Sequence, residues 1–122
     1  MKKVEAIIRP ERLQNVQDAL DALGVSGLTV TEVVGCGRQK GYTEQYRGSS
    51  ANISLLHKIK VEAVVPSNVV DSAVDAIVSG AYTGEVGDGR VFVIPIEESI
   101  RIRTGERGED TVRHDAVAGW GH

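Results

Sequence analysis

The sequence predicts an α+β fold in which two βαβ units form one four-stranded antiparallel sheet with both helices on one face, the ferredoxin-like arrangement. Three observations predict it. An internal repeat is present: Lys3–Ile8 (KVEAII) recurs as Lys60–Val65 (KVEAVV), and Asp18–Leu20 recurs as Asp75–Ile77, at the same offset of 57. Each copy opens on a β-branched run that gives way, after a proline (Pro10, Pro66), to apolar residues at helical spacing. A second β-branched run then follows each helical stretch. Only two copies exist, so the unit is a duplicated supersecondary motif and not a solenoid.

The elements follow in order. The first strand is Val4–Ile8. After Pro10, Leu13, Val16, Leu20 and Leu23 share one helical face, and Gly24 stands where that helix should end. Leu28–Val34 is the second strand and Val61–Val65 begins the second copy. Its helix places Val70, Ala73, Val74 and Ile77 on one face, with Ser67 as N-cap and Gly80 at the end. Val91–Ile96 is the next strand, and a further short strand is expected over Ser99–Arg103. The strands are apolar on both sides, Val4 and Ala6 against Ile7, and Val61 and Ala63 against Val64. Both sheet faces should therefore be covered. With no second helical layer, the free face is expected to pack on other copies of the chain, giving an obligate oligomer. Residues 1–109 read as one domain and 110–122 as a flexible tail.

Composition bounds the function. The chain has 122 residues, 14 Lys plus Arg against 17 Asp plus Glu, and 4% aromatics. No general basic field exists to draw in a phosphate backbone, and there are too few aromatics to stack bases, which excludes nucleic acid as a general partner. The lone Cys36 excludes an internal disulfide and suits a reducing cytoplasm. The N-terminal stretch does not read as a signal peptide. No apolar stretch approaches the roughly 20 residues of a membrane helix. His57, His114 and His122 are spread without metal-ligand spacing, and no acid–base pair reads as catalytic.

Three segments can carry chemistry. Thr83–Arg90 (TGEVGDGR) has glycines at Walker A spacing, but Val91 offers magnesium no hydroxyl and the segment leads into a strand rather than a helix. What remains is a glycine cradle whose amides can wrap an anion, with Arg90 beside it. By spacing alone, a plain glycine turn is the better reading. In Ile100-Arg101-Ile102-Arg103, strand alternation puts both arginines on one face about 6–7 Å apart, which suits a polyphosphate. Taken alone the segment is a solvated edge strand. Beside the glycine loop, a nucleotide-phosphate site is at least as good a reading. The third segment is a polar insertion, roughly 37–56, with Arg38, Gln39, Lys40, Tyr46 and Arg47 and with Lys58 just beyond it. It exceeds the usual loop length, so it reads as a loop that reports ligand state, or as a variable surface loop.

The stretches KKVEAIIRPERL, LTVTEVVGCGRQKG, TEQYRG, TGEVGDGRVFVIP and IRIRTGERG resemble the PII signal-transduction proteins, from Met1 to about Glu109. The resemblance implies a homotrimer that binds ATP or ADP between subunits, and 2-oxoglutarate with Mg2+ at the base of the long T-loop. It implies nucleotide contacts at Thr29, Gly37, Arg38, Gln39, Val64, Gly87, Asp88, Gly89, Arg90, Arg101 and Arg103. Gln39 would also contact the magnesium. 2-Oxoglutarate would meet Gln39, Gly41, Lys58, Val86 and Gly87. Tyr42, Tyr46, Arg47 and Ser49 would face a partner, by family an ammonium transporter or a nitrogen-metabolism enzyme, so that any membrane contact is indirect. Ala51 stands where the family's modified tyrosine is expected, and Arg90 where most members have lysine. The function implied is a non-enzymatic cytoplasmic sensor. The alternative is a specialised PII-like sensor of adenine nucleotide with another small anion such as bicarbonate.

Overall fold

A computed structural model describes residues 1–38 and 53–113. Strand β1 (Lys2–Ile8) leads through a short 3-10 turn at Pro10–Arg12 into helix α1 (Leu13–Asp21), and β2 (Thr29–Arg38) follows. The second copy is β3 (Ile53–Val65), a 3-10 turn at Ser67–Val69, α2 (Val70–Ala81) and β4 (Arg90–Pro95). The sheet order is β2-β3-β1-β4, with every neighbouring pair antiparallel. The ferredoxin-like double βαβ expected from the repeat is the observed fold, and each copy's first strand is central. None of the helices among the described residues is long and apolar enough to cross a membrane.

Alternation sorts the sheet. Val4, Ala6 and Ile8 of β1 and Ile59, Val61, Ala63 and Val65 of β3 are buried beneath the helices. From the helices, Val16, Leu20, Val70, Ala73 and Ile77 close the core over them. Each fully buried Val, Leu or Ile side chain contributes about 1.5–3 kcal/mol by leaving water. Leu23, expected on the core face of α1, lies beyond its end and is half exposed, because the helix stops at Asp21. The stop is a Schellman turn: Val25 N–H bonds Leu20 O, Gly24 N–H bonds Asp21 O, and Gly24 supplies the positive φ of 82°.

Several expectations are corrected. Gly80 does not end α2 but sits inside it. A Cβ there would lie 2.9 Å from Val16 Cα and 3.0 Å from Asn15 O, so glycine is what lets the two helices cross this closely. The Gly80 carbonyl also accepts a bond from Arg12 Nε at 2.9 Å. Ser67 makes no helix cap, since a 3-10 turn intervenes; its hydroxyl instead donates to Glu109 Oε2. Ser99–Arg103 is not a strand. Among the described residues its only pairing is the isolated bridge Ile100–Arg107, which closes a turn. The chain reverses at 102–104, where Gly105 N–H bonds Arg101 O, so Ile102 and Arg103 lie in the turn itself despite their strand-like alternation.

The insertion is shorter than its polarity suggests, because the β2–β3 ladder continues through Gly37–Ser54 and Arg38–Ile53. Gln39, Gly41, Tyr42, Tyr46, Arg47, Ser49 and Ala51 lie outside the described residues, as does the tail after Arg113. Residues 105–113, which lack periodicity, carry the 3-10 turn Glu109–Val112. The sheet face away from the helices is mixed and not simply apolar. Ile7, Val64 and Phe92 share it with Lys3, whose Nζ lies 2.7 Å from Glu62 and 3.2 Å from Glu5. The Glu62 hydrogen bond raises the Lys3 pKa, and Lys3 in turn lowers that of Glu62.

Candidate functional site

β4 runs antiparallel to β1, with Arg90 against Ile7 and Pro95 against Lys2. The loop 83–89 between α2 and β4 therefore meets the C-terminal end of β1. Gly89 is pressed on that end: a Cβ would fall 1.8 Å from the Ile7 carbonyl oxygen, and its φ is +104°. Only glycine fits. Gly87, with φ +105°, lies beside the side chains of Arg9 and Lys58.

The loop is held by charge. Asp88 accepts from the Thr83 hydroxyl, from Thr83 N–H (2.8 Å), from Gly84 N–H (2.9 Å) and from Arg9 Nε (3.0 Å). These bonds, the Thr83 hydroxyl first, hold the Asp88 carboxyl well below the usual carboxylate range. Two cations hold consecutive loop carbonyls. Arg9 Nη2 donates to Val86 O at 2.8 Å, and Lys58 Nζ donates to Gly87 O at 2.6 Å. Among the described residues, the amides of Val86, Gly87, Asp88 and Gly89 donate no hydrogen bond. Two successive carbonyls of the loop are thus held by cations, while four successive N–H groups have no partner among the described residues, the arrangement of an amide nest.

The sequence reading named Lys58, Val86, Gly87, Asp88, Gly89 and Arg90, and the fold brings these to one place. Asp88 is there for a different reason than expected. Both its oxygens are used within the loop, so only its backbone is open to a ligand. Arg9 was missed. The repeat held a signal for it, because at the common offset the second copy has Pro66 where the first has Arg9. A charged residue added directly after a buried strand end is one the strand itself does not need.

The remaining positions are elsewhere. Thr29 pairs with Glu62 and Val64 with Lys3, on the face away from the helices and toward the other end of the sheet. Arg101 and Arg103 follow β4, and their turn is rooted at that same end: Gly108 N–H bonds Ser99 O, while Glu109 and Ser67 both meet the Met1 amino nitrogen (3.0 and 2.9 Å). β4 alone separates the ends by about 17 Å, at ~3.3 Å per residue. The glycine cradle and the roots of the arginine turn are thus on opposite ends of a single chain. The expected common face for Arg101 and Arg103 is corrected with the strand: Arg101 Nη1 pairs with Glu106 Oε1 at 2.8 Å, while Arg103 has no partner among the described residues. The backbones of Gly37 and Arg38 continue β2 at the base of the insertion. Gln39, the expected magnesium contact, lies outside the described residues. Among the described residues no group of three or more His, Cys, Asp or Glu side chains is placed to hold a metal.

Comparison with known proteins bears on this arrangement. The family model for nitrogen regulatory protein P-II matches residues 1–106. The chain is 56% identical to nitrogen regulatory protein P-II of Nostoc punctiforme and 55% identical to that of Cereibacter sphaeroides, each over 92% of this chain and 100% of the relative. It is 50% identical to nitrogen regulatory protein P-II 1 of Escherichia coli, with the same coverage. Among solved structures it is similar to Arabidopsis thaliana PII bound to citrate, with a TM-score of 0.72, 43% identity and 89% of each chain covered.

Proposed function

The chain belongs to the nitrogen regulatory protein P-II family, and on that premise we propose that it is a non-enzymatic cytoplasmic sensor of adenine nucleotide and a small carboxylate. The observation that carries the reading is the run of open amides at 86–89, with the carbonyls of Val86 and Gly87 held by Arg9 and Lys58. Such a cradle takes phosphate oxygens. The glycine loop and Arg90 hold the phosphates of ATP or ADP from one protomer. Arg101 and Arg103 reach them from the next, because one chain keeps these elements at opposite ends of β4. The ligand therefore sits between subunits of a homotrimer, with Thr29 and Val64 lining the nucleotide's other end.

Lys58 is the cation for the second ligand, 2-oxoglutarate. Citrate, bound to the Arabidopsis PII structure, is also a polycarboxylate. Lys58 gives one of its three N–H donors to Gly87 O and keeps the others for a carboxylate, so one side chain meets both the second ligand and the nucleotide loop. Gln39, together with the phosphates, would hold a magnesium ion, which would offset the phosphate charge. The segment 39–52, which joins β2 to β3 near Lys58, is the partner-binding loop, and ligands bias it by differential affinity for its states. Its target is an ammonium transporter or a nitrogen-metabolism enzyme.

Calorimetry tests this. ATP with magnesium is expected to bind, and 2-oxoglutarate to add a second heat only after ATP. Absence of that heat, with bicarbonate giving one instead, would replace the carboxylate by the smaller anion. No nucleotide heat at all would end the reading.

A further inference from the structure

We infer that the Glu106 carboxylate is a built-in competitor for the phosphate groups that Arg101 takes, so that it sets how tightly the arginine turn binds a polyphosphate. The inference rests on the proposed nucleotide site and deepens it.

The ion pair belongs to the architecture of the turn. Arg101 Nη1 and Glu106 Oε1 are 2.8 Å apart, and the backbones of the same two residues are joined, Arg101 N–H to Glu106 O at 2.8 Å. Gly105 N–H returns to Arg101 O at 2.7 Å, and Thr104 Oγ1 accepts from Glu106 N–H at 3.2 Å. The backbone thus fixes the acid within reach of the guanidinium. The entropy that usually cancels an exposed ion pair is largely spent in forming the turn. Nearby, Arg107 has its own acid, Glu98, at 3.1 Å, whereas Arg103 has no partner among the described residues. The turn therefore presents one arginine ready for an anion and two already paired with acids.

The pair is also built to be exchanged. It uses a single nitrogen of Arg101, whose side chain is 27% exposed, while that of Glu106 is 55% exposed and free to swing into water. A phosphate group offers more charge and a bidentate fit to a guanidinium, so it displaces the carboxylate. The cost of that displacement is subtracted from nucleotide affinity.

Titration of the full chain with ATP at low and high salt, in a double-mutant cycle, tests this. Glu106→Gln is expected to tighten ATP by about two- to fivefold at low salt, the scale of a surface ion pair, and by less at high salt. Glu106→Asp keeps the charge but is one methylene short of Arg101, and should tighten ATP as well. Arg101→Gln should weaken ATP, and Glu106→Gln should add nothing in that background. Unchanged or weaker binding in Glu106→Gln, or an equal gain without Arg101, overturns the inference and leaves the nucleotide site standing. Wild-type ATP binding by Arg101→Gln overturns the proposed site itself, and the inference with it. A thermal melt of each variant separates these outcomes from unfolding.

Discussion

Under the proposed function, the two ends of β4 present opposite solutions to holding an anion. At the Arg90 end, the glycine loop is over-determined. Asp88 closes it from within, Arg9 and Lys58 hold consecutive carbonyls, and Gly89 lies against Ile7 with no room for a side chain. At the far end, the arginine turn rests on a bridge, a few backbone bonds and exchangeable ion pairs. The glycine loop is shaped without any ligand. The arginine turn supplies charge on a light frame. Geometry costs stability to maintain and gives orientation, while exposed charge costs little and gives attraction that salt can remove.

Mutations at matched positions should separate these designs. The largest effect is expected from Gly89→Ala, which combines a backbone clash with a positive φ. It should destabilise the fold by about 3 kcal/mol or more in denaturant unfolding. Its counterpart, Gly105→Ala, has φ +75° and nothing within 4 Å, so about 1 kcal/mol is expected. Equal losses would remove the distinction between the ends. Next is Asp88→Ala, which should lower ATP affinity at least about tenfold by releasing Thr83, Gly84 and Arg9 together. Arg101→Gln should also weaken ATP but shift stability by no more than about 0.5 kcal/mol, as befits an exposed pair. Acid provides the mildest probe. The Asp88 pKa is depressed in the fold, so its contribution is present above the ordinary Asp value of about 3.9 and is lost as pH falls below it. Amide exchange at Thr83 and Gly84 should therefore lose protection below about pH 4 before the core amides of β1 do.

The fold was legible because the repeat and the proline stops agree with the apolar spacing, and each is read locally. The errors occurred where one residue type serves two purposes. Gly24 and Gly80 look alike in sequence; one ends a helix through a positive φ, and the other lets a second helix approach. Ile-Arg-Ile-Arg alternates like a strand, yet its second half lies in a tight turn, and only its pairing decides. Lys58 and the glycine loop could be named separately, but their 2.6 Å contact needs β3 and β4 on either side of β1, which is long-range information. Arg9 was hidden because its partners, Val86 and Asp88, are distant in sequence and meet it through a carbonyl and a carboxylate already committed to the loop.

β4 also acts as a ruler. Its six residues are too long for one nucleotide's phosphates to touch the roots of both loops in the same chain. Under the proposed arrangement a solitary chain is a half-receptor, and a ligand gripped from both sides also glues the chains that grip it. Binding and assembly then share one free energy: dilution loosens the nucleotide, and nucleotide resists dilution.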